Sequence, residues 1–340
     1  MNSEASPWRH VYRWDLDKTY LDTHFEKFSR MVRIAFESAE EKRNIPGSAA
    51  LLRELSADGG EDVGAARVCI LSGSPRQMRS VLEKKLRSDG IVWHEFELKP
   101  QWENIRRGRF KAIRDQVGYK LPLLLSSRAA MSGDVRETLF GDDAEADTFI
   151  YCLYADIVAG RVDAPTLVRL LRSMSAYPDA IETCLDAMAQ LDPFEAVERI
   201  FIHLDRGTPP AWFAPFGDLV VPVFNYFQAA LVLFTEGHLD AQGVLRVTRA
   251  FREADERDTM ELANLFQDIQ RRGHMTAGAM QRLAAAVREQ RSATLEGEVV
   301  TVCEDRFVAL GPAATRSSLG STSVRDWDEL VDHQRRRPHG

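Results

Sequence analysis

Cysteine is scarce and dispersed: Cys69, Cys152, Cys184 and Cys303 are the four in 340 residues, and no two form a C-x-x-C pair. That excludes a disulfide-stapled scaffold and points to a reducing compartment, with Cys69 a small core residue of an apolar stretch. Neither these cysteines nor the eight histidines fall at zinc-ligand spacing. Excess positive charge is also absent, with 44 Lys and Arg against 51 Asp and Glu and a net charge of −7. A general nucleic-acid binder would show a basic footprint, so that class is excluded. One local basic stretch, residues 105–114 beside Trp102 and Phe110, reads by default as a solvated surface, the alternative being contact with an anionic headgroup or phosphoprotein. Long hydrophobic runs are missing too. Leu219 to Phe234 is shorter than the roughly 20 residues that span a bilayer and contains Pro222, Asn225 and Gln228, which predicts a buried helix. A peripheral lipid contact is the lesser reading of that run, relevant to a phospholipid substrate. Met1 to Pro7 is polar and acidic with no apolar signal core, so the expectation is a cytoplasmic protein without a transmembrane segment.

What is present is a βαβ rhythm. Strand-like runs near 11–16, 67–72, 91–98 and 137–141 alternate with helical patterns near 24–38, 47–57, 75–87 and 120–131. This predicts an α/β fold with a doubly wound parallel sheet and a ligand site outside the carboxyl ends of the strands. After Tyr151 the pattern becomes helical, with helices expected over 164–174, 179–191, 193–204, 222–234, 241–270 and 277–290. From Thr294 the periodicity fades toward a Ser/Thr/Gly-rich stretch and Arg335-Arg336-Arg337-Pro338. The expected division is a catalytic domain over 1–156, a helical accessory domain over 157–293 and an irregular, mobile tail over 294–340.

Four segments carry chemistry. Asp15-Leu16-Asp17-Lys18-Thr19 ends the first strand, and carboxylates at i and i+2 of an extended chain share a face. Arg67 to Pro75 reads as a buried strand opening at Ser72 into a turn, where the amides of Gly73 and Ser74 sit near a helix start suited to an anion. Gly118-Tyr119-Lys120-Leu121-Pro122 places Lys120 at a helix opening, because proline is disfavoured in a helix interior. Lys111, in the basic stretch, is the competing lysine. Phe140-Gly141-Asp142-Asp143-Ala144-Glu145-Ala146-Asp147 ends a fourth strand in an acidic loop. Glu145 and Asp147 have an ordinary reading as helix-start acids, whereas Asp142 joins a carboxylate cluster of the kind that binds Mg2+.

In that order, the strand-end Asp-x-Asp-x-Thr, the strand-end Ser, the helix-start Lys and the Gly-Asp-Asp-x-x-x-Asp resemble the four motifs of the haloacid dehalogenase superfamily. Over residues 12–156 the chain is most similar to the phosphatidate phosphatase catalytic domain of actin-patch-associated proteins and its bacterial relatives, through Ile45-Pro46-Gly47, Ser72-Gly73-Ser74-Pro75 and Phe140-Gly141-Asp142. The resemblance implies a Rossmannoid fold and a Mg2+-dependent phosphatase. It makes Asp15 the nucleophile and Asp17 the general acid and base. It gives Lys120 charge compensation, and phosphate binding to Ser72 with the amides of Gly73 and Ser74; Thr19 steadies the first loop. Mg2+ would be held by Asp15, the Asp17 backbone carbonyl and Asp142, with Asp143 or Asp147 in support.

The chain departs from that pattern at Lys18, where the phosphatidate phosphatases carry a further Asp, and at Asp143-Ala144-Glu145, where they carry Ser-Gly-Gln. Both lie on the site rim, so phosphomonoester hydrolysis is the firmer expectation and a lipid phosphate such as phosphatidate the finer one. A phosphotransferase or small-metabolite phosphatase with the same chemistry, and a noncatalytic scaffold, are the competing readings.

Overall fold

The structure is a computed structural model that describes residues 8–22, 43–57, 65–99, 116–131, 133–289, 294–311 and 325–336. The first strand, β1 (His10–Asp15), reads HVYRWD and is buried throughout. Successive side chains take opposite faces, Tyr12 and Trp14 on one and Val11 and Arg13 on the other. Five further strands follow: β2 (Ala66–Pro75), β3 (Glu95–Lys99), β4 (Arg136–Asp142), β5 (Val197–His203) and β6 (Val220–Val223). They form one sheet in the order β3-β2-β1-β4-β5-β6, and every pairing is parallel. The chain therefore starts mid-sheet, winds outward through β2 and β3, then crosses to β4 and winds the other way. That reversal leaves a crevice at the carboxyl ends of β1 and β4, where doubly wound folds bind ligands.

Helices cover both faces, as an all-parallel sheet requires. Tyr12, Trp14, Phe140 and Phe201 share one hydrophobic core with α1 (Ser48–Ala57), α2 (Arg79–Ser88), α7 (Tyr226–Thr235), α8 (Ala241–Asp255), α9 (Thr259–Arg271), α10 (Ala277–Glu289) and α11 (Leu295–Leu310). Leu71, Leu139, Ile200 and Ile202 pack under α3 (Val117–Ala129), α4 (Asp147–Val158), α5 (Ala164–Ser173), α6 (Pro178–Met188) and α12 (Trp327–Arg335). Trp14, Phe140 and Phe201 are register neighbours and stack across three strands, with ring centroids 4.0 and 5.0 Å apart. Each such pair contributes about 0.5–1.5 kcal/mol beyond its burial, which fixes the register of β1 against β4 next to the crevice.

Several expectations are corrected. The helix expected over 193–204 is the strand β5, and the sheet runs on past residue 156 through Val223. A strand buried on both faces shows a continuous apolar run, here Ile200-Phe201-Ile202, which periodicity alone does not separate from a helix. The run Leu219 to Phe234 is β6 followed by α7. Asn225 divides them, accepting the Gln228 amide at 3.0 Å as an N-cap. Pro222 fits because β6 is an edge strand, where a missing donor costs least. The single helix expected over 241–270 breaks at Glu256, in a left-handed conformation (φ 50), and restarts at the Asp258/Glu261 capping box. The tail is not irregular where it is described: α11 buries Val299, Val300, Cys303 and Phe307, and α12 buries Trp327, Leu330 and Val331. The helix expected over 24–38 and Lys111 lie outside the described residues. Among the described residues no helix is long and apolar enough to cross a membrane.

Candidate active site

The loop after β1 is held from several sides, and this sets the directions of Asp15, Asp17 and Thr19. The Leu16 amide donates to the Leu71 carbonyl at 3.1 Å, and the amides of Tyr20 and Leu21 turn back onto the Leu16 carbonyl at 3.0 and 2.9 Å. Lys18 takes a left-handed conformation (φ 59) to make that turn. The Tyr226 hydroxyl donates to the Thr19 carbonyl. Thr19 Oγ1 is thereby placed 3.2 Å from Asp15 Oδ2, to which it donates, and 3.5 Å from Asp142 Oδ2. The two strand-end carboxylates converge on one hydroxyl.

Asp17 turns the other way. Its Oδ2 accepts from Ser72 Oγ at 2.9 Å and Ser74 Oγ at 3.0 Å, with Ser74 Oγ also 3.2 Å from Oδ1. Here the structure revises the expected anion cradle. β2 continues to Pro75, with an irregular register between Ser72 and Pro75, so Gly73 and Ser74 lie in the strand rather than at a helix start. The Ser74 amide is committed to Ser72 Oγ at 3.0 Å. The two hydroxyls bracket Asp17.

Lys120 lies in the first turn of α3, fully buried, with Pro122 inside that helix. Its Nζ is 2.8 Å from Asp15 Oδ1, 2.5 Å from Asp147 Oδ1 and 3.1 Å from Glu145 Oε2. Asp15, Glu145 and Asp147 each offer an oxygen within 4.8 Å of the other two. The ammonium already occupies that triangle, so it is a lysine cage. Burial lowers the affinity of Lys120 for its proton, but Asp147, Asp15 and Glu145 outweigh this and hold the amine well above its ordinary value.

Asp142 closes β4 with an Asx turn, its Oδ1 accepting the amides of Ala144 at 2.5 Å and Glu145 at 3.0 Å. Asp147 opens α4 and reaches back, Oδ2 accepting the Asp142 amide at 3.2 Å. Gly141 makes this closeness possible. A Cβ there would stand 2.7 Å from Asp147 Cβ and 2.8 Å from Tyr151 Cε2. Gly141→Ala is therefore expected to destabilise the fold by about 1–3 kcal/mol, the usual cost of overpacking, in a urea melt. Unchanged stability would mean that the start of α4 moves without resistance.

Asp143 does not join the cluster. Its Oδ1 accepts the Arg206 amide at 2.7 Å and its Oδ2 the Thr208 amide at 2.9 Å, which ties the loop after β5 to the end of β4. Both oxygens of the Asp143 carboxylate are thus engaged by backbone amides, and those of Asp147 by Lys120 and the Asp142 amide. Glu145, read from sequence only as a helix-start acid, is the further site residue. Its carboxylate meets both Lys120 and Gln116, the latter at 2.9 Å.

Burial holds the carboxyls of Asp15, Asp17, Asp142 and Asp147 above the ordinary carboxylate range, with neighbouring acids adding to the effect and Lys120 opposing it. Four buried carboxylates share one buried ammonium, an imbalance that a cation relieves. Asp15 Oδ2 and Asp142 Oδ2, which meet at the Thr19 hydroxyl, are hard oxygen donors of the kind a divalent cation takes.

This constellation sits in the α/β class of doubly wound, Rossmann-like folds, at its switch point. The loop after β1 carries carboxylates in place of glycines, so it lacks the close approach that a dinucleotide pyrophosphate needs. No family model, curated protein or solved structure matches the chain.

Proposed function

We propose that the chain is a Mg2+-dependent phosphomonoester hydrolase of the haloacid dehalogenase type, with a lipid phosphate such as phosphatidate as the first substrate to test. The observation that carries the reading is the environment of Asp15: a buried strand-end carboxylate between the Lys120 ammonium and the Thr19 hydroxyl, with Asp142 across that hydroxyl. An isolated carboxylate this deep would be protonated and inert. With the Lys120 ammonium on one side and a divalent cation held by Asp15 Oδ2, Asp142 Oδ2 and the Asp17 carbonyl on the other, it would be ionised and nucleophilic. Mg2+ there would supply neutralisation of the phosphoryl oxygens as the ester bond breaks.

Asp17 supplies the proton. Burial raises its carboxyl above the ordinary range even though Ser72 and Ser74 donate to it, so it retains a proton at a pH where an exposed Asp has lost one. Asp15 attacks phosphorus, the P–O bond to the substrate alcohol breaks, and the leaving oxygen takes the Asp17 proton. In the second half, Asp17, now a carboxylate, accepts a proton from water as that water attacks the phosphoaspartate. Inorganic phosphate leaves, and both aspartates return to their starting forms. Lys120 balances the charge on Asp15 throughout, held in position by Asp147 and Glu145. The residues that were expected to hold phosphate, Ser72 and Ser74, act in this scheme on the acid.

The test is a phosphate-release screen with and without Mg2+, over sugar, nucleotide and amino-acid phosphates and phosphatidate in mixed micelles, with an acceptor alcohol in a parallel arm. Mg2+-dependent release from at least one class is the expected result, and phosphoryl transfer to the alcohol would reassign the enzyme as a transferase. Failure to release phosphate from every class would overturn the hydrolase reading.

A further inference from the structure

At the opposite end of the sheet, three side chains unrelated in sequence face one another. His10 opens β1, Glu198 is the second residue of β5, and His238 lies in the turn that follows α7. The parallel register sets His10 beside Arg136, and Glu137 beside Val197, so the starts of β1, β4 and β5 lie in one row. The His238 amide caps the end of α7 by donating to the Leu233 carbonyl at 2.8 Å, and this brings its ring edge-on to His10, with centroids 4.7 Å apart. Five residues of extended chain separate His10 from Asp15, about 16 Å at roughly 3.3 Å per residue, so this cluster is independent of the acid site.

His10 Nδ1 lies 3.7 Å from Glu198 Oε2, and His238 Nε2 lies 3.5 Å from the same oxygen. Each of the three residues offers a ligand atom within 4.8 Å of the other two. A direct imidazole–carboxylate hydrogen bond would draw such atoms to about 2.7–2.9 Å. Their outer nitrogens, by contrast, are bonded: His10 Nε2 to Thr138 Oγ1 and His238 Nδ1 to the Tyr12 hydroxyl, each at 2.9 Å. When those hydroxyls accept, the proton of each ring sits on its outer nitrogen. The inner nitrogens then present lone pairs toward Glu198.

We propose that His10 Nδ1, His238 Nε2 and Glu198 Oε2 bind one divalent transition-metal ion, for which the donors and spacing best fit Zn2+. Bonds of about 2.0–2.2 Å to a tetrahedral zinc put its ligand atoms about 3.3–3.5 Å apart, within a few tenths of an ångström of the two measured separations. Two imidazoles with one carboxylate suit zinc, whereas Mg2+ requires oxygen. Thr138 and Tyr12 are the outer partners that zinc-binding histidines use to fix ring orientation and tautomer. Arg136 Nε is 3.7 Å from Glu198 Oε1, which engages that oxygen and leaves Oε2 for the ion. Both histidines are buried and Glu198 is 26% exposed, so the fourth position opens on Glu198's side to water. The ion would tie β1, β5 and the end of α7 together.

The full chain, stripped with chelator and dialysed against Zn2+, is expected to retain one equivalent that binds tightly, and Co2+ in its place should give the intense visible bands of a four-coordinate site. His238→Ala should weaken Zn2+ by more than about 100-fold, and Tyr12→Phe, which removes only an outer partner, by about 10–100-fold. Asp142→Asn should leave the affinity unchanged. Should His238→Ala fail to fold by circular dichroism, Glu198→Gln at its partly exposed position serves instead, with the same expected loss of the tight equivalent. No retained zinc in the wild-type chain overturns the proposal. So does an equivalent that survives His238→Ala or Glu198→Gln, or one that is lost in Asp142→Asn and therefore belongs to the acid site.

Discussion

Asp15→Asn is expected to cut Mg2+-dependent phosphate release by at least about 10^4-fold, about 5.4 kcal/mol of barrier at 1.36 kcal/mol per factor of ten, while leaving the chain folded. The amide keeps the shape of the side chain and its contact with Thr19, but it is not a nucleophile toward phosphorus. Its effect on stability has the opposite sign. Burial holds the Asp15 carboxyl above its ordinary range, so ionising it at neutral pH opposes folding even with Lys120 alongside. A neutral amide removes that cost, and Lys120 retains Asp147 and Glu145 as partners. Turnover and the urea midpoint, measured on one preparation, separate the two effects. Activity should vanish while the midpoint stays level or rises. Equal turnover in the variant would end the nucleophile assignment, and a collapsed midpoint would make Asp15 a structural residue.

The ends of β1 and β4 were legible because each coincides with a change of chemistry: the run to Trp14 gives way to Asp15, and Thr138 to Phe140 gives way to Gly141-Asp142. Period and punctuation coincide there, and the switch point follows from them. By contrast, β2 runs past the expected Ser72 to Pro75, and β3 begins at Glu95 rather than 91. β5 and β6 were not legible, since Ile200-Phe201-Ile202 is apolar on both faces and carries no period. The stripe of α11 was present in sequence, with Val299, Cys303 and Phe307 four residues apart, but the Ser/Thr/Gly-rich stretch after it obscured it. Within the site, the structure brings the strand-end carboxylates of Asp15 and Asp142 together with Thr19 and Lys120, because strand direction fixes where those side chains emerge. The directions of Asp143 and Glu145 were not legible, because neighbours in a loop have no set period. The Asx turn at Asp142 sends one toward the Arg206 and Thr208 amides and the other toward Lys120. His10, Glu198 and His238 show the same limit at long range. Only the sheet order brings them together, and that order depends on the strand that periodicity left ambiguous.

Lys120→Met is expected to destabilise the chain by about 3–5 kcal/mol at pH 8, the cost of leaving buried charges without their partner, and the penalty should shrink toward acid. Methionine preserves most of the volume, so the loss tests charge rather than packing. Lys120 is what opposes burial at Asp15 and Asp147, and it does the same at Asp142. Without it, all three carboxyls rise further above the ordinary value near 4. A group whose native value exceeds its unfolded value contributes stability that is fully present below the unfolded value and is lost as pH rises through the native one. The variant should therefore approach wild-type stability below about pH 3, where the carboxyls are largely protonated in both folded and unfolded chains, and fall away as pH rises and each native carboxyl is forced to ionise. Glu137 pulls the other way, since Arg13 and Arg128 outweigh its burial and hold it below its ordinary value, but it is common to both proteins and cancels in their difference. Added Mg2+ competes with the same protons, so the stabilisation it gives the wild-type chain should grow as pH rises, reaching about 2.7 kcal/mol at a hundredfold excess over its dissociation constant. Urea melts of both chains at a series of pH values, with chelator and with Mg2+, read all of this at once. A variant penalty that stays constant with pH would assign Lys120 to packing alone, and would remove the electrostatic basis for Asp15 as a nucleophile.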